Sequence, residues 1–209
     1  MTNAPMQIPP HAPVLDGGFA NPARDSQRVF RVLMDAFAHP GTAQMFKHAV
    51  APPTPLGATA AAVALCLVDA DTPLWLDPAL AAAPSVTAWL DFHTGAPRVS
   101  DPAEAVFALV SAPAIMPGFD AFSSGTQDYP DRSATLILQL ETLTDGDAIT
   151  LAGPGIASSA RLSPGPLPRH FHQQWQANRQ KFPRGIDLVL AAPDALAAMP
   201  RSVRIADGG

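Results

Sequence analysis

Charged residues are scarce in this chain. They make up 15% of its 209 residues, against 47% apolar ones, proportions that exclude a coiled coil and a highly charged disordered segment and leave a soluble globule. Cysteine is nearly absent. Cys66 alone, in the run Ala60-Ala61-Ala62-Val63-Ala64-Leu65-Cys66, rules out an intrachain disulfide and reads as a buried thiol suited to a reducing cytoplasm. Lysine is limited to Lys47 and Lys181. A pyridoxal-phosphate enzyme needs a lysine to form its Schiff base, and neither position offers that setting, so no such cofactor is expected. Long hydrophobic runs are missing as well. The longest, residues 58–68, contains Thr59 and stops at Asp69, well short of the ~20 residues that span a bilayer. The start, Met1-Thr2-Asn3-Ala4-Pro5-Met6, lacks the cationic and apolar regions of a secretory signal, so no membrane is expected and the location is read as cytoplasmic. A net charge of -5 argues against general nucleic-acid binding, which needs a clustered cationic footprint.

Proline and glycine are plentiful, at 24 and 14 residues, and they punctuate the chain. Residues 1–17 read as a proline-rich tail, since Pro5, Pro9, Pro10 and Pro13 deny it ladder and helix hydrogen bonds. Residues 18–206 read as one α/β domain, of a size that buries roughly 70% of its unfolded surface. Asn21 as N-cap, Pro22 at the first helical position and Asp25 in the first turn predict a helix whose buried face carries Val29, Leu33 and Phe37. His39-Pro40-Gly41 ends it, and a strand over 43–47 follows. Residues 56–68 predict a second helix, apolar nearly all round and therefore buried. Apolar runs at 74–76, 106–110, 134–140, 149–151, 186–190 and 203–205 predict strands. Several are apolar on both faces, which points to an open, mixed, largely parallel sheet flanked by helices.

An uneven distribution of charge lies behind the net value. Between Asp147 and Asp187 no acid occurs, while Arg161, Arg169, Arg179, Lys181 and Arg184 supply five cations. Leu167, Phe171 and Trp175 at i, i+4 and i+8 predict a helix there, with cations and glutamines on its outer side. Such a face binds an anion if its cations converge in a cleft, or docks an acidic partner if they stay dispersed. Phe92-His93-Thr94-Gly95-Ala96-Pro97 reads as a loop. His93 is a candidate general acid or base, or a structural histidine oriented by Asp91 or a backbone carbonyl. Asp71, with Asp69 and Thr72, is a second catalytic candidate in a segment that otherwise closes a turn. Gly153-Pro154-Gly155 lacks the third glycine and the Lys-Ser/Thr of the phosphate-loop motifs and reads as a tight turn. No metal-type His/Cys array and no nucleophile elbow is present, so no metal is assigned.

Taken together, several segments resemble one family. They are Asp25-Ser26-Gln27-Arg28 with Phe30, Asp71-Thr72-Pro73-Leu74-Trp75-Leu76, the Phe92–Pro97 run, Gly125-Thr126, Ala134-Thr135-Leu136-Ile137-Leu138, Gly153-Pro154-Gly155-Ile156, Phe182-Pro183-Arg184-Gly185-Ile186-Asp187 and Pro200-Arg201. In order and spacing they are similar to the PhnH family, a subunit of the bacterial carbon-phosphorus lyase system, over residues 18–205; Ser202 departs from the threonine expected there. The resemblance implies a fold similar to the pyridoxal-phosphate-dependent transferases without their cofactor, a homodimer, and association with the G, I and J subunits. It also implies a part, with the G, I and L subunits, in forming ribose 1-phosphonate 5-triphosphate from ATP and a phosphonate. No catalytic residue comes with it. Two roles follow: a non-catalytic assembly subunit, or a direct participant that grips triphosphate or phosphonate through Arg161, Arg169, Arg179, Lys181 or Arg184.

Overall fold

In the computed structural model, residues 15–206 are described. The expected tail lies outside them except for Leu15, Asp16 and Gly17, which are tied to the domain: the Asp16 carbonyl accepts from Trp89 Nε1 at 2.8 Å and the Gly17 carbonyl from the Ala51 amide at 2.8 Å.

Helix α1 (Pro22–Ala38) begins as its sequence dictates. Asn21 Oδ1 accepts from the Arg24 amide at 3.1 Å, and Asp25 Oδ2 reaches back to the Asn21 amide at 2.9 Å. Two amides that the helix leaves unpaired are thereby satisfied. Val29, Leu33 and Ala36 are buried, and Gly41, at φ +80°, ends the turn where a Cβ would stand 2.8 Å from Ala160 Cβ. After the short strand β1 (Gln44–Met45), helix α2 (Ala58–Leu67) buries Thr59 through Ala64. Its alanines let it lie close against the sheet.

The remaining α-helices and strands are β2 (Leu74–Leu76), α3 (Pro78–Ala81), α4 (Pro84–Thr94), β3 (Arg98–Val99), β4 (Phe107–Val110), β5 (Thr135–Gln139), β6 (Ile149–Ala152), β7 (Ala160–Leu162), α5 (Phe171–Gln180), β8 (Asp187–Ala192), β9 (Ala195–Met199) and β10 (Arg204–Ile205). Seven strands form one sheet in the order β1-β9-β8-β5-β4-β2-β3. From β8 to β3 the pairs are parallel, and β9 and β1 add antiparallel at one edge, which gives the mixed, largely parallel sheet expected. A second, antiparallel sheet has the order β10-β6-β7.

Strand alternation splits the core into two layers. Leu74, Leu76, Leu109, Ile137 and Val189 pack against α1, α2 and α4. Trp75, Ala108, Leu136, Leu138, Leu188 and Leu190 face the other way, onto Phe171 and Trp175 of α5 and onto Ile149, Leu151 and Leu162 of the small sheet.

Two local expectations differ from the structure, and one strand lies where none is expected. The Phe92–Pro97 segment is not wholly a loop: Phe92, His93 and Thr94 form the last turn of α4, and Gly95, at φ +65°, is its left-handed cap. Leu167 lies ahead of α5, because Pro168 and the turn at Arg169–His170 precede the helix and His170 takes φ +55°. Strand β9, Ala-Leu-Ala-Ala-Met, is a strand of helix-forming residues, held by five register pairs to β8 across the two-residue turn Pro193-Asp194. Tertiary pairing outweighs propensity there.

Candidate functional site

His93 is half-buried at the edge of a groove of about 420 Å³ that it lines with Phe19, Pro22, Ser26 and Leu65, and its ring is fixed by structure. Its Nε2 donates to the Leu15 carbonyl at 2.8 Å, and its ring centroid lies 4.5 Å from that of Trp89 and 5.0 Å from that of Phe92. A Cβ on Gly18 would stand 2.4 Å from His93 Cε1, so the imidazole seats the incoming chain. Of the two proposed orienting groups, a backbone carbonyl fills the role, while Asp91 forms an exposed ion pair with Arg98 at 3.0 Å. Asp71 is exposed in the turn 69–72, where its amide donates to Asp69 Oδ1 at 3.0 Å and Thr72 Oγ1 donates to the same oxygen at 3.1 Å. No hydrogen bond joins Asp71 to His93.

His48 and Thr59 form a histidine–hydroxyl pair, His48 Nε2 to Thr59 Oγ1 at 3.1 Å. Thr59 already donates its proton to the Pro193 carbonyl at 2.8 Å, so the histidine is the donor and the hydroxyl is not activated. Burial pushes the His48 imidazole below its usual value, against an opposing pull from Asp194, and Nδ1 is buried without a partner among the described residues. Burial also pushes the Cys66 thiol up, although the residue is only partly enclosed; its Sγ donates to the Ser26 carbonyl at 3.4 Å. Among the described residues no group of three His, Cys, Asp or Glu side chains could hold a metal ion.

In open parallel sheets, ligands bind at the carboxyl ends of the strands. Here that place carries Asp77, 2% exposed, between the ends of β2 and β4. Its carboxylate accepts from the amides of Leu80 (3.0 Å), Ser111 (2.7 Å) and Ala112 (2.9 Å) and from Ser111 Oγ (2.9 Å to Oδ2). It caps α3 and fixes the segment after β4, so its oxygens are fully engaged.

The five cations do not share one cavity. Arg161 is exposed on β7, in register with Thr150 of β6; Arg169 is exposed ahead of α5; Arg184 is exposed in the turn before Gly185. Lys181 lines a groove of about 260 Å³ with Gly118, Asp120 and Gln174, and its Nζ donates to Ser124 Oγ at 3.1 Å. Arg179 lines a separate groove of about 590 Å³ between α5 and the small sheet, with His172, Gln173, Gln176, Thr150 and Arg204. Its guanidinium carbon lies 5.0 Å from the Phe182 ring centroid, and its Nε is buried without a partner among the described residues. Arg204, the second cation of this groove, lies beyond Asp187, where the acid-free segment ends. Its alternation with the inward Ile205 on a short strand was the available signal. Gly153-Pro154-Gly155 is a turn packed on the end of α1, where a Cβ at Gly155 would stand 2.3 Å from the Ala38 carbonyl oxygen.

Fold and sites define an α/β protein in which, among the described residues, the internal histidines and the one deeply buried acid are engaged in structure, with cationic side chains on the surface around α5. The chain belongs to the PhnH family of bacterial phosphonate metabolism proteins, whose match runs over residues 17–206. It is 47% identical, over 192 residues, to the alpha-D-ribose 1-methylphosphonate 5-triphosphate synthase subunit PhnH of Rhizobium meliloti (strain 1021), covering 92% of this chain and 96% of that one. Over 81 residues it is 27% identical to a protein of Stutzerimonas stutzeri named as a C-P lyase subunit, HtxG, covering 39% of this chain and 42% of that one.

Proposed function

We propose that this chain is an assembly subunit of a carbon-phosphorus lyase complex, supporting formation of ribose 1-phosphonate 5-triphosphate from ATP and a phosphonate without supplying the reacting groups. The observation that carries this is the 47% identity to a synthase subunit across nearly the full length of both chains. The site geometry supports it: His93, Asp77 and Thr59 are tied into structure and Asp71 sits in an exposed turn.

The partners in this reading are a second copy of the chain and the G, I and J subunits, in the cytoplasm. Among the described residues no helix is long and apolar enough to cross a membrane. Phe30 and Met34, 49% and 50% exposed one turn apart on α1, and Met45, 75% exposed on the edge strand, give apolar surface that association would cover. The dispersed Arg161, Arg169 and Arg184 give a charged face of the kind that steers partners together. The fold belongs in this reading beside the pyridoxal-phosphate transferases with the cofactor lost; Lys47 is exposed and Lys181 bonds Ser124, so neither is set up for a Schiff base.

Co-expression with tagged G, I and J subunits tests the proposal. The chain should co-purify at fixed stoichiometry, and Arg169→Glu with Arg184→Glu should weaken that association while leaving the fold intact. A chain that elutes alone, in the presence of an assembled remainder, overturns the reading.

A further inference from the structure

We propose that the groove between α5 and the β10-β6-β7 sheet binds the phosphoryl group of a small molecule, held by Arg179 and Arg204 with His172. The site goes beyond the assembly role and does not depend on it. Helical spacing puts His172, Gln176 and Arg179 on one face of α5, since Phe171, Trp175 and Asn178 take the buried one. Across from them, β10 pairs with β6 so that Arg204 stands opposite Ala152, two residues from Thr150 and on the same face of the sheet. Helix and sheet thus bring two guanidinium groups, an imidazole, a hydroxyl and two amides around one concavity of about 590 Å³, floored by Trp175. That volume lies in the range of small-molecule sites.

The chemistry of the lining selects the ligand. Among the described residues none that lines the groove is acidic, so the two fixed charges face no internal counter-ion. A carboxylate offers two oxygens and one charge, too few for two guanidinium forks and the neutral donors around them. A phosphoryl dianion offers three oxygens and two charges, and guanidinium forks suit its geometry. The Nε of Arg179 has no hydrogen-bond partner among the described residues, so no protein acceptor competes for that edge of the guanidinium. An acidic protein segment is a poorer fit, because the concave lining admits a small group more readily than a chain.

Titration calorimetry of the full chain with inorganic phosphate, pyrophosphate and tripolyphosphate at low ionic strength tests this, with acetate as the carboxylate comparison. Saturable binding of the phosphorus oxyanions and none of acetate is expected. Arg204→Gln, on an exposed edge strand where folding is not at stake, should weaken binding by about tenfold, and Arg179→Lys, which keeps the charge but loses the fork, by a similar factor. Arg184→Gln should leave it within about twofold. Absence of saturable binding, equal binding of acetate, or equal losses in Arg204→Gln and Arg184→Gln would overturn the assignment. Co-purification with the other subunits is read separately, so failure here leaves the family reading untouched.

Discussion

Replacing Asp77 by alanine should be among the most damaging single changes in this fold. Three amides, of Leu80, Ser111 and Ala112, donate to its carboxylate, together with the Ser111 hydroxyl. The hydroxyl can rotate to another acceptor, whereas the amides are fixed by α3 and by the chain leaving β4. Each buried amide left without an acceptor costs about 1–3 kcal/mol. Ser111 and Ala112 are only partly buried, and water reaching their amides lowers the total, so a loss of about 3–4 kcal/mol is expected for Asp77→Ala. At roughly 2–4 °C per kcal/mol for a chain of this size, the midpoint should fall by about 6–16 °C. Asp77→Asn keeps one acceptor oxygen but turns an NH2 group toward amide donors, so it should lose about half as much. Ser111→Ala removes only the hydroxyl and should lose about 1 kcal/mol or less. Urea unfolding followed by the fluorescence of the buried Trp75, Trp89 and Trp175 reads all three variants. A loss below about 1 kcal/mol for Asp77→Ala, or Asp77→Asn matching the parent, would refute the reading of this carboxylate as a backbone anchor.

Other outcomes follow from single contacts. His48 is held neutral by burial, so its folded-state pKa lies below that of the unfolded chain; stability is constant above the unfolded value near 6.5 and falls as pH drops below it. A His48→Gln variant, which keeps a donor toward Thr59, should lose less stability than the parent between pH 7 and 5, as read by urea midpoints. His170, at φ +55°, carries a left-handed strain that His170→Gly should relieve, raising stability by about 0.5–1 kcal/mol, whereas the β-branched His170→Val should lower it; calorimetric midpoints moving in the same direction for both would contradict this. Arg201 binds both oxygens of Asp187 and the Pro130 carbonyl at 2.6 Å, with both side chains 16% exposed. Arg201→Ala should cost about 2–3 kcal/mol and Arg201→Lys should recover less than half of it, because an ammonium cannot span both acceptors; full recovery by lysine in chemical denaturation would mean that charge alone matters.

Where physics is local, the sequence was legible. Asn21, Pro22 and Asp25 announced α1 by capping chemistry alone, and short apolar runs announced β2, β4, β5, β6 and β8 within a residue or two. Strand β9 was hidden because Ala195, Ala197 and Ala198 prefer helix, and only the partner strand decides otherwise. His93 illustrates the same limit at a candidate site: residues 92–94 could be read for chemistry, but their environment comes from Leu15 and Gly18, far away in the chain. The excess of cations before Asp187 was visible in one dimension. Its division into a groove around Arg179, a second around Lys181 and arginines outside both depends on α5 packing between β10 on one side and residues 118–120 on the other, and the first of these contacts also recruits Arg204.

The central sheet also has a bearing on how such a subunit could work. Helices α1, α2 and α4 cover one side of it, and α5 with the small sheet covers the other, so the exposed Phe30 and Met34 and the cleft at Arg179 are back to back through a wall of strands. A neighbour gripping the α1 flank would leave that cleft open to solutes, and docking and solute capture could proceed together without competing for the same surface.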